Sequence, residues 1–144
     1  MLIARFTAIL CSGLFTGAAL YVSFVEHPAR MEISIPAAVA EFEPSYRRAT
    51  IMQASLAVVG SLAAFAAWLG SAGSLSLCAS VTLLSVVPFT LIVMFPTNKQ
   101  LLDPALDPSS AKARDLLVRW GNLHTVRSGL GFVAFVLLVL SSPA

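Results

Sequence analysis

ATIMQASLAVVGSLAAFAAWLGSAGSLSLCASVTLLSVVPFTLIVMFPTN, residues 49–98, lies between Arg48 and Lys99 and contains no charged side chain. As one helix it would be about 75 Å long at 1.5 Å per residue, against a hydrocarbon core of about 30 Å. The run must turn back on itself. Its cluster of turn residues is Gly70-Ser71-Ala72-Gly73-Ser74, which predicts helices over about 48–69 and 75–95. Pro88 falls inside the second, where a kink is expected, with the bundle or a nearby Ser or Thr taking up the freed carbonyl. Phe95-Pro96 should close that helix, because a residue before proline avoids the α region.

Outward from this hairpin, Phe6 to Val25 is free of charge and long enough for a crossing, giving a helix over about 3–26. With Arg5 ahead of it and Gly17-Ala18-Ala19 within it, the segment imitates a signal peptide. Its apolar stretch exceeds the usual core of 7–15 residues, so it is read as a membrane helix. A fourth helix is expected over about 110–140, beginning near Asp107-Pro108-Ser109-Ser110, amphipathic in its first half and apolar all round in its second. Two surface pieces complete the reading: Pro36 to Phe42, stopped by Pro44, and a turn at Thr97-Asn98-Lys99-Gln100, which has the capping-box form. The fold class is all-α, an integral membrane antiparallel four-helix bundle forming one domain over residues 1–144. Gly13 with Gly17, and Gly60 with Ala64, are small-residue pairs suited to close helix contact.

Composition agrees. Of 144 residues 58% are hydrophobic and 11% charged, with a mean hydropathy of +0.86, so charge is about half that of a soluble domain. A net charge of +2 is too small for a nucleic-acid footprint, and disorder is excluded by the same numbers. Cys11 and Cys78 sit in apolar runs and read as small buried hydrophobes, not as a zinc or redox motif.

On this topology Arg5 lies at one end and every other charge at the opposite end, including Arg30, Arg47, Arg48, Lys99, Lys112, Arg114, Arg119 and Arg127. The positive-inside rule makes that end cytoplasmic, with both termini outside, in an inner membrane if the source is prokaryotic. Seven acidic residues share the end, so it is nearly neutral overall, more like an internally paired site than a basic patch.

Three stretches converge there: Glu26-His27-Pro28-Ala29-Arg30; Tyr46-Arg47-Arg48 leading to Gln53; and Phe95-Pro96-Thr97-Asn98 joined to Arg119-Trp120-Gly121-Asn122-Leu123-His124-Thr125-Val126-Arg127. Trp120, His124 and Arg127 stand at i, i+4 and i+7, on one helical stripe. Ionisable groups at membrane depth cost at least ~2.5–3.5 kcal/mol each, so they are kept inside and are functional candidates. Glu and His offer a proton acceptor, Arg and Asn donors can stabilise an oxyanion, and Trp and Phe supply a flat wall. Snorkelling at helix ends accounts more simply for Arg47, Arg48, Lys112 and Arg114, and Glu26 with Arg30 is also an ordinary i, i+4 pair.

In Val25 to Arg30, in Tyr46-Arg47-Arg48 with Met52-Gln53-Ala54, in Phe95 to Lys99 and in Arg119 to Arg127, the chain resembles the anthrone oxygenase-like family of small membrane proteins. The resemblance spans nearly the whole chain. It implies oxidation of a polyketide-type anthrone by O2 without metal or flavin, on a hydrophobic substrate taken from the membrane. Carried onto this sequence, His124 or Glu26 would remove the acidic ring proton, and Arg30, Arg127 and Asn98 would hold the oxyanion. Trp120, His27, Arg47, Gln53 and Asn122 are the expected substrate-binding residues, with no metal ligand and no cofactor.

Two other readings stand beside it. A non-catalytic protein could hold a lipid or quinone in the same polar pocket. Alternatively, His27 and His124 could be axial to a haem, or join Glu26 at a metal, although no His-x-x-x-His or Glu-x-x-His pair is present. Transport would need more than four helices, which keeps a homo-oligomer open.

Overall fold

A computed structural model describes residues 2–70 and 72–141. It contains four long helices: α1 (Leu2–Ile33), α2 (Ile35–Leu69), α3 (Ser74–Leu101) and α4 (Ala111–Leu140), and no strand among the described residues. All four are long and apolar enough to cross a membrane. They form an antiparallel ring in which α1 packs on α2 and α4, and α3 packs on the same two. Residues such as Phe6, Leu62, Leu91, Ile92 and Leu140 are exposed on the outside, a surface suited to lipid and not to water.

The hairpin between α2 and α3 forms where the turn residues stand. Gly70 ends α2 and Gly73 adopts φ +82°, the left-handed region that glycine enters without a steric penalty. Ser71, the second residue of the predicted cluster, lies outside the described residues, as do Ser142 to Ala144, just after the apolar half of the fourth expected helix. The Ser110 hydroxyl caps α4 by accepting from the Ala113 N–H at 3.1 Å.

Helix ends differ from the sequence expectation at prolines. The first helix does not stop near residue 26: it continues through Pro28 to Ile33. Pro44 does not separate a surface piece from the second helix but lies inside a continuous 35-residue α2, capped at its start by Ser34, whose hydroxyl accepts from the Ala37 N–H. Nor does Pro96 end the third helix, which reaches Leu101, so Thr97 lies inside it and does not act as a cap.

At two of these prolines the helix widens. Val22–Glu26 and Phe89–Met94 are π-helical, and each is followed two residues later by proline, Pro28 and Pro96. A proline ring collides with the carbonyl four residues back and donates no hydrogen bond. One step before each proline the ladder has shifted to i→i−5, with the His27 N–H on Val22 O and the Phe95 N–H on Thr90 O.

Buried apolar side chains form three layers. Ala8, Ala64, Ala79 and Leu138 pack near the termini, and Phe15, Ala19, Ala57, Leu83, Val86 and Ala134 pack at mid-depth. Phe42, Met94, Leu101, Leu116, Leu117 and Trp120 belong to the third, at the charged end. Small residues let the helices close: a Cβ on Gly60 would stand 2.9 Å from Leu83 Cδ2 and 3.1 Å from Cys11 Cβ. Gly17, by contrast, faces open space, and of its pair only Gly13 is approached, by Phe135.

Candidate functional site

Between the second and third layers the core turns polar. On α4 the residues after Trp120 and before Gly131 include His124, Arg127 and Ser128, all buried. Facing them are Gln53 from α2 and Thr90 from the widened turn of α3. His124, Arg127, Gln53 and Thr90, with Arg30, Tyr46, Asn98 and Trp120, line a cavity of about 130 Å³ whose wall is completed by Ser45, Thr50 and apolar groups such as Val22, Phe42, Val86 and Met94. Both π-helical turns contribute to this wall, the first through Val22 and the second through Thr90, Leu91 and Met94. Single widened turns of this kind recur at functional sites because they turn side chains away from the regular helical stripe.

The two buried arginines are held differently. Arg30 pairs with Glu26, one turn earlier, and its Nε lies 2.8 Å from Glu41 Oε2 on α2; Ser45 also donates to Glu26 Oε1 at 2.9 Å. Arg127 has no carboxylate partner among the described residues. Its guanidinium donates to Gln53 Oε1 and, through Nε, to Thr90 Oγ1 at 3.2 Å, and it lies 4.9 Å from the centre of the Phe15 ring. That ring is itself pressed on α4, where a Cβ on Gly131 would stand 2.5 Å from Phe15 Cε1. A buried cation with neutral partners alone keeps an unmet attraction for an anion, stronger as the surroundings become less polar.

His124 stacks on Trp120 with centroids 4.8 Å apart, and Trp120 in turn meets His27 at 5.2 Å and the edge of Phe42 at 5.3 Å. Phe42 stacks on Tyr46, whose hydroxyl accepts from Asn98 Nδ2 at 3.4 Å. The result is a continuous aromatic wall on one side of the cavity. His124 Nδ1 is 3.0 Å from Ser23 Oγ, while Nε2 has no hydrogen-bond partner among the described residues. Asn98 Oδ1 and Trp120 Nε1 are buried without a partner as well.

The expected residues are thus sorted. His124, Arg127, Arg30, Asn98, Trp120 and Gln53 share the cavity. His27 stands behind Trp120 and not in the lining. Glu26 lines a second, outer cavity of about 510 Å³ between α1 and α2, which shares Val22, Ser45, Ala49 and Gln53 with the first. Arg47 and Asn122 are exposed on the outside of their helices and reach neither cavity. Tyr46, expected only as part of the Tyr46-Arg47-Arg48 stretch, lines the cavity, and Thr90, Ser23 and Ser128 belong to the site without having been singled out for it. A lone hydroxyl in an apolar helix usually bonds its own backbone, as Thr82 and Ser85 do here, so only partners on other helices distinguish these. No group of three or more His, Cys, Asp or Glu is assembled among the described residues.

Comparison with known proteins adds a second line. The family model described as anthrone oxygenase matches residues 42–137. The anthrone oxygenase tpcL of Aspergillus fumigatus is 33% identical over 138 residues, covering 89% of this chain and 86% of the relative. An anthrone oxygenase of Claviceps purpurea is 27% identical over 134 residues, covering 83% and 77% respectively. No solved structure matches the chain.

Proposed function

This chain belongs to the anthrone oxygenase family, and we propose that its inner cavity oxidises an anthrone-type substrate, a flat polycycle with an acidic CH2 across the ring from a ketone. The single observation that carries this reading is Arg127, a buried guanidinium without a carboxylate, in one cavity with a histidine whose Nε2 is unengaged. A neutral ketone that becomes an enolate supplies the missing anion only as the proton leaves, so the attraction is largest where the barrier lies.

The step balances without a further co-reactant. His124 Nε2 takes one proton from the CH2, and the electron pair moves onto the ketone oxygen, opposite Arg127. The ring carbon then bonds to O2 and reduces it to a peroxide anion, which recovers the proton from His124. Loss of the second C–H proton with cleavage of the O–O bond gives the quinone carbonyl and water: CH2 plus O2 becomes C=O plus H2O. Trp120 and Phe42, set perpendicular to each other, supply the aromatic surface against which such a ring packs, face-on to one and edge-on to the other. Arg30, already balanced by Glu26 and Glu41, is read as a wall and ring-positioning residue, and Glu26 as its partner instead of a base. The proposal includes a hydrophobic substrate arriving from the membrane and the charged end facing the cytoplasm.

The test is quinone formation from a 9-anthrone by the purified chain in nanodiscs. Loss in His124→Gln and Arg127→Met is expected; unchanged turnover in His124→Gln removes the histidine from the reaction. A chain that binds anthrones or quinones without ever oxidising them would be a binding protein.

A further inference from the structure

Ser23 stands in the widened turn of α1, and its Oγ lies 3.0 Å from His124 Nδ1 and 2.9 Å from Ser128 Oγ. Ser128 is buried, and its Oγ lies 3.0 Å from the Ala19 carbonyl oxygen and 2.9 Å from that of His124. Carbonyl oxygens only accept, and a hydroxyl has a single proton to give. With two acceptor-only oxygens within 3.0 Å, the Ser128 proton belongs on that side. Ser128 Oγ is then left to accept from the Ser23 hydroxyl. Ser23, having spent its proton, can only accept from His124, which puts the ring proton on Nδ1. The direction of the whole chain follows from its end.

We propose that Ser23 and Ser128 are positioning residues that hold His124 as the Nδ1–H tautomer, so that Nε2 carries the lone pair toward the cavity. This rests on the oxygenase reading for its catalytic consequence, and not for the tautomer itself. A base whose second nitrogen is pinned keeps both the protonation site and the ring plane that abstraction needs. The chain ends on a backbone carbonyl, which cannot pass a proton on. The proton taken by Nε2 therefore leaves by Nε2, toward the peroxide, and His124 acts as base and then as acid.

The assignment is tested by 15N NMR of histidine-labelled protein in nanodiscs, with His27→Gln separating the two rings. Expected are a protonated Nδ1 and an unprotonated Nε2 in the unsubstituted chain, a mixture of tautomers in Ser128→Ala and in the Ser23→Ala/Ser128→Ala double variant, and retention in Ser23→Thr. In turnover, the double variant should lose roughly 10- to 100-fold in kcat with KM little changed, and Ser23→Thr should keep most of it. Ser128 Oγ also lies 3.5 Å from His124 Nδ1 and can accept its proton when Ser23 is removed, so a proton on Nε2 in the unsubstituted chain, or an unaltered tautomer in the Ser23→Ala/Ser128→Ala double variant, overturns the proposal. Nδ1 protonation in a chain that never oxidises an anthrone would keep the serine assignment and sink the oxygenase reading instead.

Discussion

The His27 ring fills the space in which a side chain on Gly121 would begin: a Cβ there would stand 2.5 Å from His27 Nε2 and 2.7 Å from Cδ2. Glycine in mid-helix gives up ~1 kcal/mol relative to alanine, and here the vacancy lets α1 bring its imidazole against Trp120. Gly121→Ala should therefore destabilise by about 1–3 kcal/mol despite its better helix propensity, since the ring must leave a packed position. Thermal melts of a double-mutant cycle check this: in a His27→Ala background the same substitution should be nearly neutral or stabilising. Equal cost in both backgrounds would contradict the contact.

Arg127 and Arg30 should respond oppositely to removal of charge. Replacing Arg127 with Met deletes a buried cation that has no counter-ion, so the unfolding midpoint should stay level or rise. Turnover should nevertheless fall by ~10²–10³, the scale of a lost oxyanion donor. Arg30→Met leaves Glu26 and Glu41 without their cation and should lower the midpoint; both carboxylates are partly exposed and can hydrate, which keeps the loss to about 1–2 kcal/mol. Melting curves and steady-state rates on the two variants separate these outcomes.

Pro28 follows the widened turn that carries Val22 to the cavity wall and Ser23 to His124. Pro28→Ala removes the ring that forbids regular α-helix pairing at this point. The expected result is a protein at least as stable, with a weakened Ser23 contact to His124 and a lower kcat. Melting temperature and the histidine 15N spectrum read the two effects independently. Pro96→Ala should act in parallel on Thr90 and thereby on Arg127.

The proposed orientation is tested separately from chemistry. With both termini outside, a C-terminal alkaline phosphatase fusion made in a bacterial inner membrane should be active, and a C-terminal green fluorescent protein dark. The reverse pattern would turn the charged end outward.

The second and third helices were readable because an uncharged run from Ala49 to Asn98 has one physical solution in a bilayer, a hairpin closed at its glycines, and the first and fourth because each holds an apolar stretch on the scale of a crossing. Their ends were not, because the local rule that proline stops a helix was outweighed at Pro28 and Pro96 by a widened turn and at Pro44 by the length of α2. The candidate site was legible where side chains are too costly to bury idly: His124, Arg127, Gln53 and Asn98. Arg47, expected as a substrate-binding residue only through the resemblance, faces outward, where snorkelling accounts for it. The Glu26–Arg30 pair was legible as an i, i+4 spacing, whereas the neutral partners of Arg127 and the hydroxyls that cross between helices depend on how α4 packs on α1, α2 and α3, which no spacing within one helix encodes.

The most direct test of the central claim is mass spectrometry of the quinone formed from a 9-anthrone under 18O2 by the purified chain, with the Arg127→Met variant beside it. The account predicts one 18O atom in the new carbonyl, formed far faster than in buffer or empty nanodiscs, with the excess rate lost in Arg127→Met. Labelled quinone appearing no faster than in empty nanodiscs, or equally fast with Arg127→Met, would contradict it.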